Sequence, residues 1–242
     1  MKKFLPLLIL LLGVGVLVGA YFFIKGRGDK QEEVEEEVAE VAFDKRPVAS
    51  LKPSSDGHWL KLQIEKLGEL GESMDYELLY QLPDGRTQGV PGSITLGSES
   101  TIERDLLLGS ESSGKFRYDE GVKEGTLTLR FRNSKGKLTA KFLTEFTLTS
   151  DTKSFSAIDG KFKYELAKAS KEFFVVMNTF GAPSGYSGQP IAGPYGIFSS
   201  VESSAPGSVS LSGGKIQAYM GGKWSSLEGT NASNIGIFMV TP

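Results

Sequence analysis

Apolar and polar residues alternate with a period of two over most of the chain, which is the pattern of β-strands with one buried face. Leu60, Leu62 and Ile64 alternate with polar neighbours, and the pattern returns at Met74–Tyr80 and Leu127–Phe131. Turn sequences rich in Gly, Pro, Asn and Asp separate these segments. The greater part of the chain is therefore predicted to be all-β.

The longest regular pattern is a hairpin from Gly125 to Thr149. Asn133-Ser134-Lys135-Gly136 supplies the turn between its two strands. Phe131, Phe142 and Phe146 occupy in-phase positions on those strands. We expect these three rings to share one buried face.

About seven or eight short strands with frequent turns are predicted between residues 43 and 152. In its strand number and spacing this segment resembles an immunoglobulin or fibronectin type β-sandwich. The resemblance is one of pattern alone, because the chain has no cysteine and so lacks the Cys…Trp…Cys signature.

Composition changes near residue 152, since charged residues are frequent before it and scarce after Glu172, whereas Gly and Ser become abundant. Strand patterns continue to Val240, with Gly213-Gly214 and Gly221-Gly222 at predicted hairpin turns. We expect a second, Gly/Ser-rich all-β module at residues 153–242. One merged sandwich over residues 43–242 is the alternative.

The amino-terminal pattern is different, because Phe4–Ile24 is continuously apolar and uncharged. As a helix this stretch would be about 31 Å long, which matches a hydrocarbon core of roughly 30 Å. Residues 1–24 are therefore predicted to form a transmembrane signal anchor, with residues 4–24 in the lipid bilayer. A signal peptide cleaved after Ala20 is the alternative.

Residues 25–42 are predicted to form an acidic tether, because six glutamates lie between residues 32 and 40. Basic residues lie on both sides of the apolar run, and a short basic amino terminus that stays in the cytoplasm is the simpler topology, which puts the β modules outside the cell membrane. An exported chain without cysteine suits a bacterial envelope.

Several kinds of chemistry are disfavoured by the residue content. Acidic and basic residues nearly balance, which argues against a nucleic-acid partner. His58 is the only histidine, and no Gly-x-Ser-x-Gly motif accompanies it. Gly109–Lys115 fits the first part of a phosphate-binding loop, but Phe116 replaces the Ser or Thr and begins a predicted strand. We therefore expect a hairpin there, and we predict no catalytic, cofactor-binding or metal-binding residue.

The candidate contact site is the loop Gly181–Tyr195, in which three prolines and several glycines argue against any strand or helix. Tyr186, Gln189 and Ile191 are its sizeable side chains before Tyr195. We expect these three residues to bind a partner, and a disordered excursion is the alternative.

Five aromatic residues could stack on sugar rings, with core packing as the alternative for the two tryptophans. These candidates are Trp59, Trp224, Tyr186, Tyr195 and Tyr219.

The sequence as a whole predicts a membrane-anchored extracytoplasmic binding or scaffold protein of the bacterial envelope, not an enzyme, with an envelope protein or polysaccharide as its partner. A glycan hydrolase and a structural subunit of a surface assembly are the alternatives. A hydrolase should have two facing carboxylates in a cleft. A binding module should expose an aromatic patch, and a structural subunit should have an open, uncharged edge strand.

Overall fold

Strands dominate the computed structural model, which describes residue 38, residues 40–68 and residues 70–242. In this part of the chain the only helical element is the single 3-10 turn Phe43–Lys45, so the all-β prediction is confirmed. The described residues belong to one compact unit, 38–242. The predicted membrane span at residues 4–24 and nearly all of the tether at 25–42 lie outside the described residues. No helix among those described is long and apolar enough to cross a membrane.

The first half of the chain forms nine strands. They are β1 (Val48–Pro53), β2 (Trp59–Glu65), β3 (Ser73–Gln81), β4 (Thr87–Thr95), β5 (Thr101–Leu107), β6 (Gly109–Ser112), β7 (Lys115–Tyr118), β8 (Glu124–Arg132) and β9 (Leu138–Thr149). The second half forms nine more. They are β10 (Thr152–Ser156), β11 (Lys163–Ser170), β12 (Phe174–Asn178), β13 (Ala192–Ser199), β14 (Gly207–Ser210), β15 (Lys215–Met220), β16 (Lys223–Ser226), β17 (Asn231–Ala232) and β18 (Ile237–Thr241).

A nine-stranded antiparallel sheet forms the centre of the fold, in the order β16-β15-β18-β13-β12-β9-β8-β3-β4. A three-stranded sheet, β1-β2-β5, and a four-stranded sheet, β10-β11-β14-β17, complete the layers. Strands β6 and β7 form a separate two-stranded hairpin.

The two smaller sheets cover opposite faces of the central sheet, as strand β12 shows. Its residues Val175 and Met177 belong to the core beneath β1-β2-β5, whereas Phe174 and Val176 belong to the core beneath β10-β11-β14-β17. Successive strand residues point to opposite faces, so the two cores lie on either side of β12. The sheet is therefore covered on both faces at its centre.

The long hairpin is confirmed as β8 paired with β9. Phe131 and Phe146 are fully buried in the first core, together with apolar residues of β1, β2 and β5. Phe142 shares this face but is only half-buried, and its ring meets Phe131 edge-on with centroids 6.0 Å apart. The predicted shared face is therefore present, with burial uneven along it.

The opposite face of β3 and β8 is polar and open to solvent. Arg132 Nε lies 2.9 Å from Asp75 Oδ2, and Arg130 Nη1 lies 3.4 Å from Glu77 Oε2. The Ser93 hydroxyl and the Arg132 guanidinium hold the pKa of Asp75 below its usual value. These cross-strand pairs account for the charges on the outward positions of the first half.

The predicted module boundary at residues 152 and 153 lies within the layered fold. Strand β9 before it pairs with β12 after it, at Phe146↔Met177 and Leu148↔Val175. The two halves therefore share one sheet, and their folding as separate domains remains a prediction.

Two local predictions in the second half need correction. Gly213-Gly214 connects β14 and β15, which belong to different sheets, so it is a crossover between sheets and not a hairpin turn. Strand β13 begins at Ala192, inside the stretch expected to hold no strand, and accommodates Pro194 through a register shift between Ala192 and Tyr195. Gly221-Gly222 does form the β15–β16 turn, with both glycines at positive φ.

Strand β4 is an uncharged edge of the central sheet, and Pro91 interrupts its outer side. Leu82 N–H donates to Arg86 O at one end of the β3–β4 pair, and Leu96 N–H donates to Glu72 O at the other. Because hydrogen-bonded pairs alternate in an antiparallel ladder, the backbone of Pro91 faces outward. Proline has no N–H, so it removes a donor from the middle of this edge.

We predict that Pro91→Thr makes the full chain self-associate in detergent, because it restores a donor to an exposed edge. Sedimentation velocity should show a monomer for the wild type and a concentration-dependent dimer for the variant. Gln88→Thr is the control, because the backbone of Gln88 faces β3 and leaves the outer edge unchanged. A Pro91→Thr chain that stays monomeric would show that proline does not guard this edge.

Candidate binding site

The hairpin β6–β7 projects from the end of the three-stranded sheet. Leu108 N–H donates to His58 O, which joins the start of the hairpin to the start of β2. Ser113 and Gly114 form its two-residue turn with φ of 54° and 76°, as a type I′ hairpin turn requires. The predicted hairpin at Gly109–Lys115 is thus confirmed.

The two faces of this hairpin differ in chemistry. Directly opposed residues of an antiparallel pair share a face. Phe116 is opposite Glu111 and Tyr118 is opposite Gly109, so these residues form the aromatic face. The other face carries the side chains of Lys115 and Arg117, which are opposite Ser112 and Ser110.

Four rings form what we call the aromatic cluster: His58, Trp59, Phe116 and Tyr118. Tyr118 stacks on His58 with ring centroids 4.3 Å apart and planes at 15°. Phe116 meets Trp59 at 5.6 Å and 70°. The Phe116 and Tyr118 rings are nearly parallel, at 8°, with centroids 6.2 Å apart. Their exposed fractions are 46% and 38%, so both rings are supported from within and open to solvent.

Hydrogen bonds fix the base of the hairpin. Asp119, directly after β7, donates its N–H to Leu108 O and accepts the Tyr80 hydroxyl at 2.9 Å. Burial, reinforced by the hydrogen bond to Asp119, raises the pKa of Tyr80. Tyr80 therefore stays a protonated donor at neutral pH, and the hairpin cannot swing away without breaking a partly buried bond.

The turn that presents His58 is also ordered. Asp56 Oδ1 accepts the Ser54 hydroxyl at 2.5 Å and the His58 N–H at 3.1 Å. The hydrogen bond from the Ser54 hydroxyl is the main cause of a lowered pKa at Asp56, and the hydrogen bond from the His58 N–H lowers it further. His58 Nε2 lies 3.9 Å from Glu120 Oε1, while the ring itself supports Tyr118. The single histidine thus has a packing role in the aromatic cluster.

The loop predicted to bind a partner lies over the central sheet beside the 3-10 turn. Tyr186 is half-buried, with its ring 5.5 Å from Trp224 and 6.4 Å from Phe43. Trp224 Nε1 donates to Ser184 O at 3.3 Å. Tyr186 therefore contributes to packing within the chain.

The other two predicted contact residues point into solvent. Gln189 is exposed, and Ile191 is 56% exposed although its N–H donates to Val240 O. Tyr186 packs against Trp224 and Phe43, whereas Gln189 and Ile191 are exposed. The three residues therefore do not form a single exposed patch. Their role in partner binding remains a prediction.

The remaining aromatic candidates divide by burial. Tyr195 is buried and donates its hydroxyl to Asp159 at 2.6 Å, so it cannot stack on a ligand. Tyr219 lies 5.2 Å from Trp224 and belongs to the packing around Tyr186. The sequence reasoning missed Phe116 and Tyr118 as site residues, although a Phe-x-Tyr pair one residue after a Ser-Gly turn is the available signal.

A glycan hydrolase would need two facing carboxylates in a cleft. A cleft of about 650 Å³ contains Glu145 and Glu40 among its lining residues, and Glu40 is paired with Arg46 at 2.8 Å. Where a carboxyl pKa is shifted, as for Asp56, Asp75 and Asp84, hydrogen bonds lower it, which is opposite to what a general acid needs. Across the described residues, no group of three His, Asp or Glu side chains is placed to hold a metal ion.

The aromatic cluster is therefore the surface feature that best supports a functional proposal, because its rings are both exposed and held by contacts within the chain. Comparison with known proteins identifies no relative of this chain. No family model, no curated protein and no solved structure matches the chain.

Proposed function

We propose that this chain is a membrane-anchored extracytoplasmic binding protein of the bacterial envelope. Residues 4–24 would hold it in the cell membrane with the amino terminus in the cytoplasm, and residues 25–42 would tether the β-rich body outside. The length of the apolar run supports the membrane span, and the short segment before it makes a cytoplasmic amino terminus the simpler topology. The aromatic cluster is the observation that carries the binding role.

The strand order supports a fibronectin-like sandwich for the first half. Without the β6–β7 hairpin, strands β1, β2, β3, β4, β5, β8 and β9 correspond to A, B, C, C′, E, F and G. The sheets then become A-B-E facing C′-C-F-G, the division expected for that type of sandwich. The hairpin that carries Phe116 and Tyr118 would be an insertion between strands E and F. A second sandwich-like module would follow from residue 153.

Binding is favoured because the cluster combines exposure with order. The residues that carry most of the binding energy in an interface are enriched in aromatic side chains, and a contiguous exposed apolar patch often marks a binding surface. Phe116 and Tyr118 are already held by ring contacts with Trp59 and His58. A partner would lose little side-chain entropy on contact with rings that are ordered beforehand.

The alternative roles have weaker support. Of the two carboxylates that line the cleft of about 650 Å³, Glu40 is engaged in an ion pair with Arg46 and only Glu145 remains, whereas a hydrolase needs two facing carboxylates. The uncharged edge strand β4 resembles a feature of an assembling subunit, but Pro91 interrupts its outer ladder. An aromatic surface for binding fits the geometry better than either role.

Co-sedimentation with detergent-washed envelopes from the native cell tests this proposal. We expect the wild-type chain to sediment, and Phe116→Ala with Tyr118→Ala to weaken binding at least tenfold. Thermal unfolding of the double variant should stay close to wild type, because neither ring belongs to the buried cores.

Two matched variants locate the contact surface. Lys115→Ala with Arg117→Ala changes the opposite face of the same hairpin, and Ile191→Ser changes the exposed end of the Gly181–Tyr195 loop. Binding that survives both changes assigns the contact to the aromatic cluster. Wild-type binding by the Phe116 and Tyr118 double variant would reject the proposed site.

A further inference from the structure

We infer that the aromatic face of the β6–β7 hairpin binds an uncharged polysaccharide, an inference that rests on the proposed binding function. The ligand would lie along strand β7, with successive sugar rings against Phe116 and Tyr118. This assigns a ligand class to the aromatic cluster and a distinct role to each face of the hairpin.

Ring geometry favours a chain of saturated rings. Phe116 and Tyr118 are two residues apart on one strand, and their planes differ by only 8°. Sugar rings carry C–H groups on their faces, and these polarised hydrogens are attracted to the negative face of an aromatic ring. The two rings are stacked with centroids 6.2 Å apart, so together they offer one apolar surface that neighbouring units of a repeating polymer can contact.

The polar surroundings match a hydroxyl-rich ligand. Glu111 is directly opposite Phe116 and shares the aromatic face. A carboxylate accepts hydrogen bonds from hydroxyl groups and has no hydrogen to donate. A sugar offers such hydroxyl donors around its rim, so stacking and hydrogen bonding can occur in the same pose.

Charge distinguishes an uncharged ligand from an acidic one. Glu111 lies on the aromatic face. Glu120 Oε1 lies 3.9 Å from Nε2 of His58, the ring that stacks on Tyr118. Both carboxylates would repel a polyanion approaching these rings. The cations Lys115 and Arg117 are on the other face of the hairpin, so an acidic ligand lying on the rings would meet Glu111 directly and these cations only across the hairpin.

A protein partner is the rival that the experiment must exclude. In protein–protein interfaces, the side chains that carry most of the binding energy usually fill pockets on the partner and are densely packed there. Here both strands of the hairpin are exposed, and the rings lie on a projecting surface. That shape leaves room above the rings for an extended polymer.

The test uses full-length chain in a detergent without a sugar headgroup, and native envelopes treated in two ways. One sample is digested with protease, and the other is oxidised with periodate, which cleaves the vicinal diols of sugars. We expect binding to survive protease and to fall at least tenfold after periodate. The neutral polysaccharide fraction, separated by anion exchange, should retain the binding.

A fluorescence measurement assigns that binding to the cluster. In a Trp224→Phe background Trp59 is the only tryptophan, and it contacts Phe116. The neutral fraction should shift Trp59 emission, and Phe116→Ala should weaken the titration at least tenfold. Phe116→Tyr should stay within about threefold of wild type because it keeps the ring. Lys115→Ala with Arg117→Ala should leave the titration unchanged.

The possible failures are separable. Binding lost with protease and kept after periodate, or confined to the acidic fraction, would overturn the polysaccharide inference and leave the binding function standing. Undiminished envelope binding by the Phe116→Ala, Tyr118→Ala chain would reject the aromatic cluster as the site and overturn the inference. No envelope binding by the wild-type chain would overturn the binding function as well.

Discussion

Replacing Phe131 or Phe146 by alanine is expected to lower the free energy of unfolding by about 3–5 kcal/mol. Both rings are fully buried between the central sheet and β1-β2-β5, so truncation would leave a cavity in close-packed surroundings. Chemical denaturation of the full chain, followed by circular dichroism, measures this loss.

Phe142→Ala is the matched control on the same face. Phe142 is half-buried at the margin of this core, so it should cost clearly less than either neighbour. Equal losses for all three substitutions would contradict the observed gradient of burial. A loss below about 1 kcal/mol for Phe131 would show that the first core is assigned wrongly.

Replacing Met177 by alanine is expected to cost about 2–5 kcal/mol and to destabilise both halves of the described fold together. Met177 lies in β12, beyond residue 153, yet it is fully buried in the core beneath β1-β2-β5 and pairs with Phe146. A side chain that completes the core of the first half couples its stability to the second half.

The two tryptophans provide one probe for each half. Trp224→Phe leaves Trp59 in β2, and Trp59→Phe leaves Trp224 in β16. The fluorescence midpoints of the two variants should coincide, and Met177→Ala should shift both by the same amount. Two separate midpoints, only one of them moved by Met177→Ala, would show that residues 43–152 and 153–242 are independent domains.

The strands were predictable because their signal is local. Leu60, Leu62 and Ile64 alternate with polar residues in the sequence, and the same residues are buried in β2. The β8–β9 hairpin was predictable for the same reason, since its turn residues and its in-phase aromatic positions are adjacent along the chain.

The candidate site was less predictable. Tyr186 was singled out for its loop, but Trp224 and Phe43 pack around it from distant parts of the chain. In the sequence, Phe116 is notable only because it stands where a phosphate-binding loop would have Ser or Thr. Its surroundings depend on Trp59, which reaches it through the pairing of β2 with β5.

By itself, the sequence determined the all-β class, most strand positions and most of the tight turns, because period-two alternation and turn chemistry act over a few neighbouring residues. It also predicted the apolar amino-terminal span, which lies outside the described residues. Only the tertiary structure decided that β9 pairs with β12 and that the smaller sheets cover opposite faces. It likewise brought His58 and Trp59 to Phe116 and Tyr118. The physical reason is that strand order and ring contacts depend on which distant apolar faces bury one another, and a local pattern does not specify that choice.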